Sequence, residues 1–149
     1  MPMELDFHDL TPAQHGFYLD LILRNKNMYD DFLDFAEQRG VGESVRFLRT
    51  MTQIPWNGNT PITPDMTRGI YATYIREGSF FQINIAESAA LPIREAVDSE
   101  QQADWGPIVA EIRRLLRYNG VVKAWLTKRE KDARSRLAAQ PAGVGAAAR

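Results

Sequence analysis

Apolar positions recur at intervals of three and four along most of the chain, and clear stops separate the periodic segments. "TPAQ" opens the first segment: Thr11 can cap, Pro12 suits a first helical position, and Gln14 completes a capping box. Phe17 with Leu21, and Tyr18 with Ile22, repeat at spacing four and predict one buried face. A second helix is predicted over about 28–39, with Tyr29, Phe32, Leu33, Phe35 and Ala36 inward and Gly40 as its exit residue. A third, about 43–53, buries Val45, Phe47, Leu48 and Met51 before Pro55. "PWNGNTPITP" (55–64) reads as a loop. Thr63 and Pro64 then restart a helix with the stripe Met66, Ile70, Tyr71, Tyr74 and Ile75, stopped by Gly78. Only Phe80 to Ile85 alternates as a strand would, and it has no partner segment.

Residues 88–98 are helical by pattern, with Pro92 expected in the first turn or at a kink. Asp104 is placed to cap the next helix, which carries Ile108, Ile112, Leu115 and Leu116 and ends at Asn119-Gly120. A last helix runs from about Val121 into a charged region near Arg136. The expectation is an all-α domain of seven or more short helices over residues 11–137. A loose lead-in (1–10) precedes it, and a low-complexity, disordered tail (138–149) follows.

Composition alters little in this picture, but charge is unevenly spread. Residues 1–45 hold nine acids against three bases, and residues 46–149 hold ten acids against fifteen bases. Between 113 and 136, Arg113, Arg114, Arg117, Lys123, Lys128, Arg129, Lys131, Arg134 and Arg136 outnumber Glu130 and Asp132. The alternatives are a solvated helix face and a surface for an acidic partner or membrane. With no cysteine there is no disulfide and no thiolate chemistry. The opening "MPMELDFHDL" carries acids where a signal peptide needs bases, and no apolar run approaches the roughly 18 residues that span a bilayer. A soluble cytoplasmic chain is expected.

Candidate chemistry is sparse. On one helix, His8 and His15 would stand about 10 Å apart along the axis, too far for one metal ion, and both read as ordinary surface histidines. Asp30, Asp31 and Asp34 project outward between core aromatics without the oxygen-rich loop a cation needs. No seryl nucleophile has a histidine at motif spacing, and no glycine-rich phosphate loop exists. The expectation is no metal, no cofactor and no catalytic residue.

Three segments carry a resemblance. Ile70, Tyr71, Tyr74 and Ile75, followed by Ile83-Asn84-Ile85, resemble the central signature of the regulator of G-protein signalling (RGS) family. Phe32, Phe35 and Ala36, then Glu43-Ser44-Val45-Arg46-Phe47-Leu48, are similar to its upstream motif. "DWGPIVAEIRRLLRYNGVVKAWL" resembles the closing helices, and the likeness covers about residues 17–128.

The resemblance implies a bundle of seven to nine short helices in two subdomains. The extended "FFQINI" would bridge them, with Phe80, Ile83 and Ile85 packed and Asn84 tying down backbone. It also implies activation of a Gα GTPase without a catalytic group of the domain's own, by holding the switch loops in their transition-state arrangement. On this reading Glu43, Ser44, Asn119 and Lys123 face the partner. Ser44 stands where the family has Asn, Asn119 where it has Asp and Lys123 at best where it has Arg, and a second family Asn falls near Glu95 or Ala96. Weak activation of a Gα-like protein is therefore expected. The alternatives are an RGS-fold scaffold for another protein or an anionic membrane, and an unrelated helical module binding nucleic acid through the basic last helix. Of these, nucleic acid is the partner not expected.

Overall fold

The computed structural model describes residues 10–54 and 62–139. The helices are α1 (Pro12–Arg24), α2 (Lys26–Gln38), α3 (Gly42–Gln53), α4 (Pro64–Ile70), α5 (Glu87–Asp98), α6 (Gly106–Asn119) and α7 (Val121–Ala139). A five-residue π-helical turn, Tyr71–Ile75, continues α4. The described residues form no strand. The lead-in (1–9, with His8), most of the 55–64 loop and the tail from 140 lie outside them.

Local chemistry accounts for the boundaries. The capping box forms, with Thr11 Oγ1 accepting from Gln14 N at 3.1 Å and Gln14 Oε1 accepting from Thr11 N at 3.0 Å. Asn25 Oδ1 accepts from Met28 N at 3.0 Å, so α2 begins at Lys26, two residues earlier than its apolar pattern implies. At the end of α2, Gly40 N donates to Glu37 O at 3.1 Å and Val41 N to Ala36 O at 3.0 Å. This pairing needs a left-handed residue between, and Gly40 supplies it at φ +78°. The same pair of bonds closes α5 through Glu100 N and Gln101 N, with Glu100 at φ +55°. Gly120, φ +78°, ends α6. Asp104 acts one residue early: its Oδ1 accepts from Gly106 N at 3.0 Å, while Trp105 occupies the cap position. Pro92 lies at the sixth residue of α5, past the first turn, where Ser88 C=O loses its usual donor.

The core draws on every helix. Phe32 meets Trp125 edge-on at 5.4 Å, and Trp125 Nε1 donates to Asp31 Oδ2 at 2.9 Å. Such an aromatic pair adds about 0.5–1.5 kcal/mol to its area burial. Phe47 contacts Tyr74 at 5.6 Å and Trp105 at 6.1 Å, joining α3 to the π turn and to the start of α6. Helices α1, α2, α3, α6 and α7 pack together; α4, the π turn and α5 pack with one another and meet α6 through α5 and α3 through Tyr74.

The structure corrects further sequence expectations. α1 buries His15, Leu19, Ile22 and Leu23 instead of the Phe17/Leu21 face; Phe17 is 65% exposed. His15 is therefore no surface histidine. Phe80 is 89% exposed and Asn84 is exposed, so neither packs into a bridging segment. Only Ile83 of that run is buried, and its N–H donates to Tyr74 O at 2.8 Å. Last, α7 reaches Ala139, two residues into the expected tail.

Candidate partner-binding face

The Phe80–Ile85 loop owes its shape to the π turn. Arg76 N reaches back five residues to Tyr71 O at 2.9 Å, and Ser79 N then turns back to Arg76 O at 3.0 Å. Gly78, at φ +81°, donates its N–H to Gln82 Oε1 at 3.0 Å. This tight turn places Phe80 and Phe81 together, their rings edge-on at 4.7 Å, beside the start of α3.

There Glu37, Gly40, Gly42, Glu43, Arg46 and the two phenylalanines line a groove of about 460 Å³. Arg46 fixes its floor: the guanidinium lies 4.7 Å from the Phe81 ring centroid and 2.6 Å from Glu37 Oε1. Glu43, second residue of α3, is exposed at the helix N-terminus, where its charge is compatible with the helix dipole. Gly42 lets α3 approach α2 closely: a Cβ there would overlap the Glu37 side chain and stand 3.3 Å from Glu37 Cα.

The other residues expected to meet a partner are placed differently. Ser44 is 5% exposed and faces the core side of α3. Asn119, exposed at the end of α6, and half-buried Lys123 in the first turn of α7 flank Gly120, and neither lines the Glu43 groove. Of the second-Asn candidates, Ala96 is buried and Glu95 is exposed on α5. Two exposed aromatics are not expected from the sequence pattern. Phe80 reads as interior because it alternates with Gln82 and Asn84. Tyr118, next to Asn119, is 77% exposed under the Arg117 guanidinium (5.4 Å), and its departure from the Ile108/Ile112/Leu116 stripe is the available signal.

Four of the nine bases between 113 and 136 are paired within the domain. Arg113 pairs with Asp20 at 2.8 Å, Arg129 with Asp31 at 3.6 Å, Lys128 with Asp132 at 2.9 Å and Arg134 with Glu130 at 2.6 Å. Between α2 and the far half of α7 lies an open cleft of about 690 Å³, walled by Asp31 and Asp34 on one side and Arg129 and Arg136 on the other. Among the described residues no group of three or more histidine or acidic side chains could hold a metal ion, and no helix is long and apolar enough to cross a membrane. The chain matches no protein-family model, and no curated protein matches it.

Proposed function

We propose that the chain is an RGS-like protein-interaction domain acting in the cytoplasm, docking a Gα-like GTPase through the groove at the start of α3. The observation that carries this reading is the juxtaposition of exposed Glu43 with the Phe80–Phe81 pair. A charged residue at a helix N-terminus and a projecting aromatic give one patch both a hydrogen-bond acceptor and an apolar anchor. The two packed groups of helices are compatible with the two-part bundle of the RGS family.

The domain brings no catalytic group of its own, so any acceleration of GTP hydrolysis comes from holding the partner's loops. Buried Ser44 offers no amide at that face, and loss of one transition-state donor typically lowers the rate by about 10²–10³. Weak activation is the expected outcome. Single-turnover GTP hydrolysis by a panel of Gα proteins tests it. Acceleration equal to a full-strength RGS domain would overturn the weak-activator assignment, and loss of Gα binding by Phe80→Ala would support the docking face.

The burial of Ser44 specifically favours a second reading, an RGS-fold scaffold that binds another protein without touching a GTPase. Undetectable binding to every Gα in its GDP, GTP-analogue and transition-state forms would select it.

A further inference from the structure

Beside the Glu43 groove, and sharing Arg46 and Phe81 with it, lies a second groove of about 320 Å³. Three cations, Lys26, Arg46 and Arg49, converge on it together with the hydroxyls of Tyr29, Thr50 and Tyr74. Two of the cations have counter-ions: Lys26 Nζ lies 2.7 Å from Asp30 Oδ2, and Arg46 lies 2.6 Å from Glu37. Arg49 has no carboxylate partner among the described residues. Its Nη1 donates to Leu23 O, one of the last carbonyls of α1, and its guanidinium sits 4.9 Å from the Tyr29 ring centroid. Those two contacts fix the side chain in a half-buried position and use one of its five N–H groups. Thr50 Oγ1 and Tyr74 OH, 2.8 Å apart, add a hydroxyl pair to the same wall.

A half-buried guanidinium without a counter-ion, held on a backbone carbonyl and an aromatic face, is prepared for an anion. We infer that this groove seats a single carboxylate from an acidic segment of a protein partner, with Arg49 as its ligand and Lys26 and the Thr50/Tyr74 hydroxyls beside it. Charge selects the carboxylate: with Lys26 and Arg46 already compensated, one positive charge remains, matching a monoanion, and Asp30 disfavours a phosphate dianion. Capping α1 accounts for one N–H of Arg49 and leaves its charge without a carboxylate partner among the described residues. The inference does not rest on the proposed Gα function: its ligands are Arg49 and Lys26, which do not line the Glu43 groove.

The test is an amide-resolved NMR titration of the full chain at low salt with acetylated tetraglutamate, using acetylated tetraglutamine and inorganic phosphate as separate arms. Saturable shifts confined to the 26–30 and 46–50 segments and Tyr74 are expected for tetraglutamate alone. Arg49→Gln should weaken binding about tenfold or more, as for loss of a charge-assisted hydrogen bond. Lys26→Gln, at a side chain that is 76% exposed, should weaken it several-fold, and Lys131→Gln on α7 should leave it unchanged. Unchanged affinity in Lys26→Gln and Arg49→Gln, or shifts centred on α7, would overturn the site. Phosphate binding more tightly than the peptide would overturn the carboxylate assignment. If Arg49→Gln melts at low temperature and cannot be titrated, Lys26→Gln decides alone.

Discussion

Acidification should destabilise this domain through His15. The residue is 5% exposed on the inner face of α1, and its Nε2 is buried with no hydrogen-bond partner. Burial, then the charges of Arg113 and Arg117 on α6, push its pKa from 6.5 down to about 4. The folded chain therefore keeps His15 neutral where the unfolded chain would protonate it. Above pH 6.5 the two states bind the same number of protons there, and the group adds no pH dependence. As pH falls from 6.5 to 4 the unfolded state gains a proton that the folded state refuses, and stability drops until folded His15 titrates as well. At 1.36 kcal/mol per pH unit the full loss is about 3 kcal/mol. Carboxylates titrate over part of this range, so the measurement is a difference. Urea unfolding of wild type and His15→Leu, followed by far-UV circular dichroism at pH 7.5, 5.5 and 4.5, removes contributions common to both. At neutral pH the variant should equal or exceed wild type, because leucine fills a similar volume and leaves no unpaired nitrogen. Its advantage should then grow by about 2–3 kcal/mol on going to pH 4.5. Parallel pH profiles for the two proteins would refute the reasoning and show that His15 finds a proton acceptor or water in the folded state.

Glu100 sits in the left-handed region at φ +55°, so Glu100→Gly should raise stability by about 0.5–1 kcal/mol, read as a higher urea midpoint at unchanged slope. Gly42→Ala should lower it by about 1–3 kcal/mol, since the new methyl overlaps Glu37 and displaces it from Arg46; a change within 0.5 kcal/mol would mean α3 shifts freely on α2. Phe80→Ala should alter stability by less than about 0.5 kcal/mol while abolishing partner binding in a pull-down, and a large loss of stability would place the ring in the core. Tyr71→Ala should cost about 2 kcal/mol by thermal melting, below the roughly 3–5 kcal/mol of a fully buried aromatic, because the ring is half-buried on the core; no measurable loss would contradict its packing.

Much of the architecture is written in local signals. Thr11, Thr63, Gly40 and Gly120 act where cap chemistry requires, because a cap involves only residues within one turn. What fails depends on the third dimension. α1 has apolar residues on both sides, so Phe17 and Leu21 compete with Leu19, Ile22 and Leu23. Treating His15 as polar tilts the choice toward the wrong face, although His15, Leu19 and Ile22 repeat with helical spacing. The alternation of Phe80 to Ile85 mimics a strand because a pattern of period two carries no information about whether a neighbour exists to pair with. Of the candidate site, Glu43 is recognisable as an exposed first-turn acid. Its neighbours in space, Phe80 and Phe81, lie 37 and 38 residues away and are delivered by a π turn whose extra residue leaves no mark in the spacing.

Arg46 forms part of both grooves at once, stacked on Phe81 and paired with Glu37. A guanidinium cannot turn fully toward two anions, so the grooves share one resource and thermodynamics makes the sharing mutual. An acid in the second groove that drew Arg46 as well as Arg49 would release Glu37 into the first groove, making it more negative and more receptive to a basic group. A partner bound in the first groove must alter the second by the same factor. Measuring each affinity with the other site saturated would expose the linkage as two equal ratios, and a ratio of one in both directions would show that Arg46 stays where it is. Equal ratios different from one would mean that a single arginine lets one small helical domain register whether two binding events coincide.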